Sequence, residues 1–124
     1  MPRIDFVGLD FFEDDFPKVD VIVMNLVLLW WSEDVKKMLI EKAYKALPPG
    51  GMLMCLDDVA DDDRRHHAFS IIKSMVLMTM VGAKGGGRTF TGREFDQWCR
   101  AIGFSKTETK PIPNMPMSVS MAFK

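Results

Sequence analysis

Two carboxylates, Asp57 and Asp58, close an apolar run that begins at Met52, and a third, Asp10, follows another short apolar run. Adjacent strand residues point to opposite faces, so Asp57 and Asp58 cannot converge on one bond as the paired carboxylates of a glycosidase do. Two readings stay open for them: one acts alone, or both solvate a strand end. His66 and His67 are neighbours with no third ligand at metal spacing, so a solvated helix start accounts for them better than a metal centre. The stretch Gly82 to Gly87 follows a helix and lacks the lysine and hydroxyl of a phosphate-binding loop, and it reads as a hinge or loop. Eleven methionines, Met75 and Met78 among them, supply soft thioethers that either line an adaptable pocket or fill a core or interface. Trp30 and Trp31 form an aromatic pair at a strand end. Trp31 is expected to pack a helix against the sheet, while Trp30 either stacks on a flat ligand or covers a neighbouring subunit.

The elements that would hold these side chains follow from periodicity. Arg3 to Gly8 alternates like a short strand, and Val19 to Leu29 is nearly all apolar, as in a strand buried on both faces of a parallel sheet. Ser32 stands where it can cap a helix with Glu33 and Asp34 in its first turn, and Val35, Met38, Leu39, Ala43, Ala46 and Leu47 fall on one face. Pro48-Pro49-Gly50-Gly51 ends that helix, and Met52 to Leu56 makes the next strand. Strand, helix, strand in this order predicts a right-handed crossover in a parallel sheet. Asp61, Asp62 and Asp63 precede a helix expected from about Arg64 to Val81, whose apolar stripe includes Ala68, Ile71, Ile72, Met75 and Met78. Thr91 and Glu94 form a capping box, with Phe90 and Phe95 as a hydrophobic staple, and the helix that follows buries Phe95, Trp98, Cys99 and Ile102. Lys106 to Ile112 and Ser118 to Phe123 read as an antiparallel hairpin turning at Pro113-Asn114-Met115-Pro116.

At 124 residues the chain fits one domain, residues 1–124, and its 48% hydrophobic content against 27% charged residues is that of a folded protein and not of a disordered tail. A formal net charge of -1 without a basic run gives nucleic acid or an anionic membrane nothing to bind. Cys55 and Cys99 stand far apart without metal or redox spacing and suit a reducing, cytoplasmic setting.

Taken in order, Asp10-Phe11-Phe12, the strand into Leu28-Leu29-Trp30-Trp31-Ser32, the stretch Ala43 to Gly51, Asp61 to Arg65, the Thr91-Gly92 helix start and Ala101-Ile102-Gly103-Phe104 resemble one family. It is the class I small-molecule O-methyltransferases of the caffeate and acetylserotonin type, with their bacterial relatives. The resemblance runs from about Arg3 to the C-terminus. It implies an α/β, Rossmann-like domain with a mostly parallel sheet and a C-terminal antiparallel hairpin. It also implies S-adenosylmethionine as methyl donor, a flat hydroxylated acceptor and a homodimer. By the same resemblance Asp10 and Phe11 meet the adenine, Asn25 lies near the donor's methionine end, and Asp57 is the carboxylate that orients a catalytic histidine. Trp30, Met75 and Met78 are the candidate acceptor-pocket residues.

The sequence departs from the family's leucine-histidine-aspartate-tryptophan pattern, because Leu29 stands at the base position and Thr89 replaces a second carboxylate. The family's glycine-rich first βα unit has no counterpart here, so the expectation is a partial domain, the C-terminal half of a longer enzyme; were the 124 residues the whole polypeptide, the first strand would lack a neighbour and would have to recruit one from another copy. A degenerate, non-catalytic module serving dimerisation or regulation is the alternative.

Overall fold

The computed structural model describes residues 3–80 and 86–124. Its elements are β1 (Val21–Asn25), a 3₁₀ turn at Leu28–Trp30, α1 (Glu33–Ala46), β2 (Met52–Asp57), α2 (Ala68–Thr79), α3 (Gly92–Ile102), β3 (Lys106–Pro111) and β4 (Ser118–Phe123). The strands form one sheet in the order β1-β2-β4-β3. The crossover through α1 makes β1 and β2 parallel, as expected, with Val21 opposite Met52 and Asn25 opposite Leu56. The expected hairpin is present, and β4 inserts beside β2, with Leu53 opposite Ala122, so that β3 takes the edge. Two of the three pairings are antiparallel, which makes the described sheet mixed instead of mostly parallel.

Strand alternation decides what is buried. Ile22, Met24, Leu53, Cys55, Ser120 and Ala122 face inward, against α1 and α3, and there meet Leu39, Ile40, Ala43, Phe95, Trp98 and Cys99. Val21 and Val23 point the other way and are 48% and 57% exposed, so the first long apolar run is a five-residue edge strand covered on one face only. That run breaks at Leu26, whose backbone is left-handed (φ 54°), and continues as the 3₁₀ turn. Residues 4–10 form no strand and are exposed; among the described residues no strand stands beside them to complete a ladder.

Two helix starts differ from expectation. Ser32 occupies the cap position of α1, but its hydroxyl makes no capping bond; Lys36 N–H donates to its carbonyl instead. The helix expected from Arg64 begins at Ala68, because Arg64 takes a left-handed conformation (φ 53°) and Asp61 folds its carboxylate over the N–H groups of Arg65, His66 and His67. Val81 and the glycine stretch up to Gly85 lie outside the described residues.

The capping box of α3 is complete. Thr91 Oγ1 accepts from Glu94 N at 3.1 Å and Glu94 Oε2 accepts from Thr91 N at 2.9 Å, while the Phe90 and Phe95 rings stack 5.9 Å apart. Arg64 and Arg88 both reach the Glu94 carboxylate and hold the loop before α3 to this start. Loss of an N-cap hydroxyl costs about 1 kcal/mol. Thr91→Ala is therefore expected to lower the unfolding free energy by about that amount, read as a shifted midpoint with unchanged slope in urea denaturation.

Candidate active site

The carboxyl ends of β1 and β2 lie side by side, and the groups singled out from sequence gather around them. The inward parity of β2 runs through Leu53 and Cys55 to Asp57, so the same alternation that builds the core carries a carboxylate into it. Asp57 is fully buried, and neither of its oxygens completes a hydrogen bond. Burial is the main cause that pushes its pKa up to about 7, and the adjacent Asp58 charge adds to this; the nearby N–H groups of Asp58 and Leu29 and the charge of Lys36 pull the other way.

Asp58 points to the opposite side, where Lys73 Nζ sits 2.5 Å from its carboxylate. One carboxylate is thus ion-paired and the other is left alone, and the pair does not converge.

Leu29 is buried in the 3₁₀ turn beside Asp57, while the neighbouring Trp30 is 45% exposed. Trp31 packs edge-on against Phe11 and Phe12, with ring centroids 5.7 and 5.1 Å away, and so fastens the Asp10 segment to the turn before α1. Lys42 strengthens this attachment by donating to the carbonyls of Phe11, Phe12 and Asp14. Asp10 is exposed and organises its own turn, accepting from Phe12 N through Oδ1. Phe11 lines an apolar groove of about 280 Å³ with Leu9, Phe16, Ile22 and Val27. Asn25 is exposed at the end of β1.

The loop after residue 85 closes on the site. A Cβ on Gly87 would stand 2.6 Å from the carbonyl oxygen of Trp30 and 2.7 Å from that of Leu29, so only glycine allows this approach. Thr89 follows, fully buried, with Oγ1 2.6 Å from Ser74 Oγ and donating to Ser70 O at 3.2 Å. These bonds explain the orientation of α2. Ser70 and Leu77 face inward, whereas Met75 and Met78 point away from the body and are each 65% exposed. Candidate pocket residues on the apolar stripe thus stand on an open helix face. The ring of His67 meets the Ser70 hydroxyl just before α2 and His66 is exposed.

Lys36, not among the residues singled out from sequence, stands near Asp57. It is 1% exposed, donates to Trp31 O at 2.5 Å, and has its pKa lowered to about 8, chiefly by burial and next by the charge of Arg88. Its spacing from Leu39, Ile40 and Ala43 was the available signal, since positions i, i+3, i+4 and i+7 share one helix face.

Residues 1–105 match the O-methyltransferase domain family, and the chain belongs to that family. It is 32% identical to O-methyltransferase 16 of Lophophora williamsii, covering 87% of this chain and 29% of the relative. It is also 32% identical to the tetracenomycin polyketide synthesis 8-O-methyl transferase TcmO of Streptomyces glaucescens, covering 89% of this chain and 32% of the relative. Human N-acetylserotonin methyltransferase in complex with SAM superposes with a TM-score of 0.87 at 24% identity, covering 98% of this chain and 34% of that one. The chain spans about a third of the length of these relatives.

The buried carboxyl has a measurable signature. A free aspartate titrates near pH 4, so the folded chain holds a proton on Asp57 that the unfolded chain releases between about pH 4 and pH 7. The stability contributed by this group therefore falls as pH rises through that window. Asp57→Asn is expected to match the parent near pH 3 and to exceed it near pH 8 by on the order of 4 kcal/mol. Urea melts at the two pH values measure this, and superimposable curves for the two proteins at both would contradict the assignment.

Proposed function

We propose that this chain is the acceptor-side part of an S-adenosylmethionine-dependent O-methyltransferase whose acceptor is a small aromatic hydroxyl compound of low pKa. The observation that carries the reading is the juxtaposition of Leu29, Trp30 and the unpaired Asp57 where β1 and β2 end, in a chain of the O-methyltransferase domain family. Ligands of open α/β sheets bind beyond the carboxyl ends of the strands.

The residues present fit the donor in kind. The apolar groove lined by Phe11 suits the face of a purine, the Asp10 carboxylate beside it suits an amino group, and the Asn25 amide suits polar atoms farther along. Bound there, S-adenosylmethionine supplies an electrophilic methyl group. The chain's own part is to align the acceptor oxygen and exclude water from it, which raises the nucleophile's reactivity. Trp30 offers an exposed indole face on which a flat acceptor stacks.

Leu29 cannot take a proton, and Asp57 lies buried behind it. An acceptor that arrives ionised needs no base, which is why the reading favours an acidic phenol.

Calorimetric titration of S-adenosylmethionine and its demethylated product into the chain tests donor binding by these residues alone; a folded sample that binds neither overturns the assignment of Asp10, Phe11 and Asn25 as a sufficient donor site. Leu29→His places an imidazole beside the free Asp57 carboxylate. It is expected to accelerate transfer to a weakly acidic phenol by about 10²- to 10⁴-fold, the usual worth of a general base, and to leave transfer to an already ionised phenol nearly unchanged.

A further inference from the structure

A buried ammonium lies behind the strand ends. Lys36 shares the inward face of α1 with Leu39, Ile40 and Ala43, so the packing of that helix on the sheet carries its side chain into the interior. There Nζ donates to the carbonyl of Trp31, the residue that closes the turn bearing Leu29 and Trp30. Charged groups face it from each neighbouring element: Asp57 at the end of β2, Arg88 on the loop before α3, Glu94 in the first turn of α3 and Glu33 on α1 itself. Most of these are matched elsewhere. Arg88 and Arg64 both meet Glu94, and Glu33 pairs with Lys37 and Arg88. Asp57 carries a proton below about pH 7, chiefly because it is buried. Among the described residues no carboxylate stands within ion-pair distance of Lys36. Burial lowers its pKa to about 8, so the ammonium still predominates at neutral pH. A charge in a dry site acts on its surroundings more strongly than one in water.

We propose that Lys36 is a specificity-determining residue of the acceptor site: its buried ammonium, fixed behind Leu29 and Trp30 by the Trp31 carbonyl, selects the anionic form of an aromatic hydroxyl compound. This inference rests on the reading of the strand ends as the acceptor site. Leu29 cannot remove the acceptor's proton, and with Lys36 in place no side chain has to. The ammonium stabilises the oxyanion, so the acceptor's own O–H bond breaks more readily, its proton passes to water and the electron pair stays on oxygen. Lys36 acts through its field and not by contact, as suits a residue 1% exposed. A lysine that only fastened the turn would be indifferent to the charge of the ligand, and this difference is measurable.

The probe is 4-nitrophenol, whose absorbance reports its ionisation, titrated over pH with the chain in excess. In the parent the bound phenol is expected to ionise about one pH unit below the free compound, the lower end of what a nearby opposite charge does. Lys36→Met keeps the length and the apolar stem, and is expected to return the midpoint to that of the free phenol; Lys36→Arg is expected to restore the difference. Carbon-13 resonances of Asp57 give a second reading without ligand. Loss of the neighbouring positive charge in Lys36→Met is expected to move the carboxyl's titration above its parent value of about 7. The inference is overturned on the parent alone if 4-nitrophenol does not bind, or if it ionises no more readily when bound than when free. A Lys36→Met chain that circular dichroism shows to be folded, and in which either midpoint stays at the parent's value, overturns it as well. No donor is present in these titrations. A chain that promotes nitrophenol ionisation but binds no S-adenosylmethionine therefore supports this inference and overturns the donor assignment alone.

Discussion

The structure depends on the parity of one strand. β2 lies between a parallel and an antiparallel neighbour, so its register is fixed from both sides, and a slip of one residue would turn Leu53 and Cys55 out of the core. Because Asp57 shares their parity, holding the core in place also holds a carboxylate where water cannot reach it. No carboxyl group would be buried there for the sake of stability, since an unpaired charge in a dry site is unfavourable. The position makes sense as a feature of the site that the core is obliged to carry.

Around that fixed point the supports are mostly polar and come from distant parts of the chain. Lys42 binds the Asp10 segment to α1, Lys36 secures the turn before α1, Arg64 and Arg88 meet on Glu94, and Thr89 draws α2 inward through the Ser74 hydroxyl and the Ser70 carbonyl. The apolar core sets where the strands end. These side-chain bonds set what stands beyond the ends.

Much of this was legible in the sequence. The capping box at Thr91, the proline-glycine stop after α1 and the hairpin turn at Asn114 are local signals, and local signals survive into the structure because few tertiary forces compete with them. The reading failed where neighbours decide. Residues 4–10 alternate like a strand, yet a strand exists only with a partner. The stripe through Ile72, Met75 and Met78 looks like a buried face, but α2 turns its Ser70 and Ser74 side inward, where Thr89 bonds the Ser74 hydroxyl and the Ser70 carbonyl. Lys36 was hidden by its charge although its spacing was right. The family pattern pointed to Leu29 and Asp57, which stand side by side in the fold, and strand alternation kept Asp57 and Asp58 apart. That one would be ion-paired and the other left alone depends on Lys73, a residue on a helix fifteen positions later.

The close approach of Gly87 to the Leu29 and Trp30 carbonyls bears on how this site can change its chemistry. Side chains on either strand end can be exchanged without disturbing the contact, because it is made by backbone alone. Variation at the strand ends is therefore open to Leu29, Trp30 and Thr89, while the glycine sets the gap between loop and turn. For anyone redesigning these strand ends, Gly87 is the position to leave untouched while the side chains it brings together are varied.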